Sequence, residues 1–145
     1  MSFSLDVSSF AEQFEDGAEK AVRGTTIELW SSIIKSSPVD EGRFRGNWFP
    51  TGQKPSEKVD LNNFDKSGSK SSARATQHVS SLKDWSTFTL TNNLPYSEII
   101  EFGGYGDGDK TVNGFSKQAP QGVVRVNVAR FNTLLEQQAR KSLPK

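Results

Sequence analysis

The chain has no cysteine, one histidine and one methionine in 145 residues. Without cysteine there is no disulfide, no thiolate nucleophile and no cysteine metal site. With His78 alone, no multi-histidine metal site can form within one chain. Long apolar runs are missing as well. No stretch of about 18 apolar residues occurs, so no transmembrane helix and no membrane partner are expected. Met1 to Asp6 lack a basic segment and an apolar core, so they are not read as a signal peptide. An excess of one charge sign is missing: 18 bases against 17 acids leave +1. No global field therefore draws the chain to nucleic acid or to a membrane. Cofactor motifs are missing too, and no cofactor is expected. The glycines at 103, 104, 106 and 108 do not follow the dinucleotide spacing, and no phosphate-loop Gly-Lys-Ser/Thr occurs.

What remains suits one small domain spanning residues 1–145. It is 33% hydrophobic and 24% charged, with mean hydropathy −0.61, a balance expected of a fold with polar, mobile loops. Charge is unevenly spread. Residues 1–40 carry seven acids and three bases, and residues 41–83 carry eight bases and four acids. A negative face and a positive loop suit head-to-tail contact between copies, or one face turned to DNA. Ordinary solvated charge is the plainer reading.

The apolar spacing predicts a long helix over Val7 to Lys35. Val7, Phe10, Ala11, Phe14, Ala18, Ala21, Val22, Thr25, Leu29 and Ile33 step by threes and fours. Asp6 is a candidate cap, and Gly17 and Gly24 weaken the helix or admit a neighbour closely. Pro38 stops it. Arg43 to Phe49 alternates like a strand, with Phe44, Gly46 and Trp48 on one face and Arg43, Arg45 and Asn47 on the other. Residues 50–83 are expected to be a mobile loop with a short helix over 73–83. Trp85 to Thr91 reads as a strand with Phe88 and Leu90 facing in. Pro95 is expected to open a short helix through Tyr96, Ile99 and Ile100. A glycine-rich loop is expected over 103–115. Pro120 to Lys141 is read as a helix, although Val124, Val126 and Val128 also alternate like a strand. The fold class is α+β: a long N-terminal and a C-terminal helix packed on a small antiparallel sheet.

Candidate chemistry is sparse. His78 is the sole candidate base, and no nucleophile and orienting group accompany it. Asp107 to Gly114 loosely follows a calcium loop, but position six is Val112 and position twelve is Gln118, where glycine and glutamate belong. Asp40 and Glu41 are adjacent and suit a turn better than acid–base work. Arg43 and Arg45, with Lys70 and Arg74 nearby, are candidate contacts to DNA phosphates or to other subunits.

Three motifs stand out: Ser37 to Trp48 (Ser-Pro-Val-Asp-Glu-Gly-Arg-Phe-Arg-Gly-Asn-Trp), Thr91 to Tyr96 (Thr-Asn-Asn-Leu-Pro-Tyr) and Ser116 to Pro120 (Ser-Lys-Gln-Ala-Pro). Through them the chain resembles the tail-completion (neck, head–tail joining) proteins of long-tailed bacteriophages. The resemblance covers most of the chain. It rests on Pro38, Asp40, Gly42, Arg43, Arg45 and Trp48; on Asn92, Asn93, Pro95 and Tyr96; on Glu101 and Gly103; and on Lys117, Ala119 and Pro120. Glu41 stands where the family usually has threonine, and Phe102 where tyrosine is common. Gly106 to Phe115 looks like an insertion.

The resemblance implies a virion structural protein of viral tail assembly with no catalysis, built in the host cytoplasm and residing in the virion. It implies small α+β subunits in a ring, commonly a hexamer. The ring's partners would be head connector or stopper proteins and tail-tube or terminator proteins, with double-stranded DNA passing through the lumen. Alternatives are a tail terminator, a minor tail component, or a nucleic-acid-binding adaptor outside any virion.

Overall fold

The structure, a computed structural model, describes residues 1–6 and 18–142. Its centre is a three-stranded antiparallel sheet with β3 (Thr87–Thr91) between β1 (Ser2–Asp6) and β2 (Phe49–Thr51). Phe3 lies opposite Leu90 and Leu5 opposite Phe88, so the apolar side chains of β1 and β3 share one face. Phe88 and Leu90 are fully buried, as expected, and so are Thr89 and Thr91 on the other face. Pro50, which has no N–H to donate, sits on the short edge strand β2.

Helix α1 (Ala18–Ser36) covers the apolar face. Ala18, Ala21, Val22, Thr25, Leu29 and Ile33 are buried, and so are Thr26, Trp30 and Ile34. The inward stripe is therefore wider than the spacing indicated. Further helices pack against α1 besides the sheet. Trp30 meets Phe88 edge to face at 6.2 Å. Each such apolar side chain fully removed from water contributes about 1.5–3 kcal/mol. A long N-terminal helix is not established: residues 7–17 of the expected span lie outside the described residues, and Asp6, the expected cap, closes β1 instead.

The expected strand over 43–49 is instead one helical turn, α2 (Arg43–Gly46), running into β2. Gly42 N-caps it in the left-handed region (φ 93°), and a Cβ there would lie 2.6 Å from the Lys66 nitrogen. The buried positions are Phe44, Gly46, Asn47, Trp48 and Phe49, so the two-residue alternation fails from Asn47 on.

The segment expected as a loop over 50–83 also holds the end of β2 and a helix, α3 (Ser69–Ser81), which starts four residues before the expected 73. α4 (Ser97–Phe102) starts two residues after Pro95. The glycine-rich stretch contains an unexpected hairpin, β4 (Thr111–Val112) and β5 (Phe115–Ser116), turned by Asn113 and Gly114, both at positive φ. Pro120 does not open a helix; it forms a single bridge with Gly122. The helix expected from there is divided into α5 (Val124–Val128) and α6 (Phe131–Ser142), and the strand alternative at 124–128 is not adopted. α6 packs along α1. A Cβ on Gly24 would lie 2.7 Å from the Gln138 Oε1 of α6, so that glycine does admit a neighbour.

Candidate functional site: a groove where three motifs meet

The three motifs are held together by side-chain amides. The Gln118 amide closes a pair of hydrogen bonds on one residue: Val39 N–H donates to Oε1 and Nε2 donates to the Val39 carbonyl, both at 2.8 Å. Asn92, fully buried, donates from Nδ2 to the Phe44 carbonyl at 2.9 Å and accepts from Leu94 N–H. Asn93 donates to the Ser56 carbonyl at 2.7 Å. Asn47 donates to the Arg43 and Asp60 carbonyls and accepts from Asp60 N–H. Buried amides of this kind satisfy loop carbonyls and N–H groups that no strand partner reaches.

Between these corners lies a groove of about 730 Å³. Pro38, Val39, Phe44, Tyr96, Ile100 and Tyr105 give it an apolar and aromatic lining. Its charged lining is Asp40, Glu41 and Arg43 from the first motif, with Asp109, Lys110 and Lys117 from farther along the chain. The Tyr96 ring lies 6.0 Å from that of Phe44. Burial pushes the Tyr96 hydroxyl up; Arg43 opposes this, while Tyr105 and Glu41 add to it. The stretch after α4 contributes Tyr105, Asp109, Lys110, Thr111, Ser116 and Lys117 to the lining.

Glu101 anchors the far end of the third motif. Its side chain is buried, yet its carboxylate is fully occupied. Oε1 accepts from Val123 and Val124 N–H at 2.8 and 2.7 Å, and Oε2 accepts from Arg125 N–H at 3.0 Å and Arg125 Nε at 2.9 Å. The Arg125 guanidinium also bonds the Glu101 carbonyl and stacks over Phe102. Free N–H groups at a helix start attract an anion, and here the chain supplies its own. Gly122 (φ 82°) brings that start close: a Cβ would lie 2.6 Å from the Glu101 carbonyl oxygen.

Of the four candidate contact residues, three arginines bond internal carbonyls. Arg45 donates to the carbonyls of Lys35, Ser37 and Lys66 at 2.7–2.9 Å, which satisfies the end of α1. Arg74 donates to the Gly46 and Trp48 carbonyls and lies 4.6 Å over Phe49. Arg43 donates to the Leu61 carbonyl and lies 5.0 Å over Phe64. Burial lowers the pKa of Arg45 and Arg74, and Asp65 opposes that shift in both. Lys70 is exposed near the start of α3.

Asp65 was not singled out by sequence. Burial alone would raise its pKa, but hydrogen bonds from Ser71, Lys70 and Gly68 hold it below the usual aspartate value. Its Oδ2 accepts from Ser71 N–H at 2.8 Å, six residues on, outside the spacing of an ordinary cap.

The remaining motif positions frame these contacts. Trp48 donates to the Ser37 hydroxyl at 3.0 Å, Gly103 ends α4, Ala119 is buried, and Pro95, Lys117 and Pro120 face solvent. His78 is half-buried on α3; its Nε2 has no hydrogen-bond partner, and burial pushes its pKa down. Asp107 and Asp109 are exposed. Among the described residues no cluster of His, Asp or Glu could hold a metal ion, and no helix is long and apolar enough to cross a membrane. The chain matches no family model, no curated protein and no solved structure.

Proposed function

We propose that this chain is a virion structural subunit of a tailed phage, one copy of a neck ring that completes the tail and joins it to the head. The observation that carries the reading is the motif set in its order: Ser37 to Arg45, Asn92 to Tyr96, Glu101 to Gly103 and Ser116 to Pro120. Two structural features support it. Many motif side chains point inward and fix corners, which leaves the outer surface for contacts. Large apolar side chains also stand outward at two separate places, Val59, Leu61 and Phe64 in one and Ile99, Phe102 and Val126 in the other. A ring subunit needs two different contact faces that close on each other. The nucleic-acid adaptor weighs less, because Arg43, Arg45 and Arg74 already bond backbone carbonyls.

Negative-stain imaging of particles assembled without the protein tests the reading. Tail-less heads and free tails are expected; normal tailed particles would sink it. A nucleic-acid titration against salt separates the adaptor, for which a steep salt slope is the signature.

A further inference from the structure

The chain contains one Asn-Gly step, Asn113–Gly114, at the tip of the β4–β5 hairpin. The turn itself asks for this pair. Asn113 lies at φ 51° and Gly114 at φ 85°, and asparagine and glycine adopt the left-handed region most readily. Gly114 also has little room for a side chain, since a Cβ there would lie 3.2 Å from the Gly104 nitrogen. The same two residues bring a reactivity with them. With no Cβ beside it, the Gly114 nitrogen is open to the carbonyl carbon of the preceding side chain.

The chain has eight asparagines, and the fold treats this one differently. Asn47, Asn63, Asn92, Asn93 and Asn127 each donate from Nδ2 to a carbonyl, which holds their amides in place. After Asn62, the next backbone N–H, that of Asn63, is bound to the Asp60 carbonyl. Asn132 lies within α6 and precedes the β-branched Thr133. Asn113 is exposed, and among the described residues neither its side-chain amide nor the Gly114 N–H has a hydrogen-bond partner.

We propose that Asn113 is a site of spontaneous deamidation, a reaction of the chain with itself in which water is the co-reactant. The Gly114 nitrogen, giving up its proton to solvent, attacks the Asn113 Cγ. A C–N bond forms, the side-chain nitrogen leaves as ammonia, and a five-membered succinimide closes. Water then opens the ring at either carbonyl. One opening gives aspartate. The other gives isoaspartate, whose main chain runs through the former side chain and is longer by one methylene. Each step is substitution at an acyl carbon, with no oxidation or reduction.

The hairpin is two paired positions long, so it opens locally at little cost and lets the ring close. The added methylene of the isoaspartyl product disturbs the pairing of Val112 with Phe115. It also moves the Gly114 carbonyl, which accepts from both Gly104 and Tyr105 N–H at 2.9 Å. Tyr105, Thr111 and Ser116 line the groove, so the modification alters that surface. None of this rests on the neck reading.

The test is incubation of the folded full chain in mildly alkaline buffer. Peptide mass mapping follows the conversion of amide to acid, and an isoaspartyl methyltransferase labels the rearranged product. Asn113 is expected to convert at least about tenfold faster than any other asparagine of the folded chain. Tyr105 N–H is expected to lose exchange protection in the isoaspartyl form and to keep it in Asn113→Asp, which carries the new charge without the methylene. Asn113→Gly, which suits the turn, is expected to remove both the mass gain and most of the label. An Asn113 that stays intact in the folded chain, or that converts no faster than the other asparagines, overturns the proposal. So does a label undiminished in Asn113→Gly, which would place the isoaspartate at Asp107, before Gly108. Unchanged Tyr105 protection in the isoaspartyl form would overturn the structural consequence.

Discussion

Gln118 and Val39 are 79 residues apart, yet the Gln118 side chain makes both hydrogen bonds that a neighbouring strand would make to Val39. The amide supplies one acceptor and one donor at the spacing of a peptide group. This single contact joins the corner after α1 to the motif after β5. Both residues line the groove.

Gln118→Ala removes both bonds and is expected to lower stability by about 1–2 kcal/mol, since each neutral bond contributes about 0.5–1.5 kcal/mol net. Gln118→Glu keeps the acceptor for Val39 N–H but sets a carboxylate against the Val39 carbonyl, so it should not rescue. Urea denaturation gives the magnitude. Amide exchange gives the place: Val39 N–H is expected to lose protection in both variants, while the sheet amides of β3 keep theirs.

Glu101 carries a larger share. Glu101→Ala leaves three N–H groups and the Arg125 side chain without their shared acceptor, and an expected loss is about 3 kcal/mol. Glu101→Gln keeps one acceptor oxygen but replaces the other with an NH2 that faces donors, so it should recover less than half. Thermal unfolding ranks the pair. A neutral Glu101→Gln would mean that charge is not what holds the start of α5.

The helices and the central strand were legible where periodicity is strong. Leu29 and Ile33 announce themselves by spacing, while Phe88 and Leu90 are marked by the β-branched and aromatic content of a strand that is buried on both faces. Arg43 to Phe49 reads as a strand because its pattern is compatible with one, while the geometry of its first part is set from outside: Gly42 lies in the left-handed region, and Asn92 and Asn47 bind the backbone of the turn. The split of the C-terminal helix was equally hidden. Pro120 offers a local start signal, but the working acceptor for the helix N–H groups is Glu101, more than twenty residues upstream. The groove could not be read at all, since part of its lining, Thr111 and Ser116, comes from a hairpin two residues deep. Long-range acceptors and short strands leave no periodic trace.

Gly42→Ala tests the corner from the backbone side. Its φ of 93° disfavours any side chain, and the added Cβ would lie 2.6–2.8 Å from backbone atoms of Asp65 and Lys66 that cannot rotate away. A loss of at least about 2 kcal/mol is expected, with the segment around Asp65 displaced. Gly104→Ala is the control: its φ is also positive, but a Cβ there meets nothing within 4 Å, so the loss should be smaller. Equal losses would show that strain alone, and not the contact with Asp65 and Lys66, sets the cost.

Asp65 makes the fold sensitive to acid. Its folded pKa lies below the unfolded value of about 3.9, so its contribution is complete above about pH 5 and is lost as pH falls through the folded pKa. Asp65→Asn removes the charge at every pH, and with it the attraction to Arg45 and Arg74. The variant should be less stable by about 1–2 kcal/mol at pH 7, with the gap narrowing steadily below pH 5. Denaturation midpoints of both proteins from pH 7 to pH 2 measure it. A gap that stays constant across that range would place the effect in packing and not in the charge of Asp65.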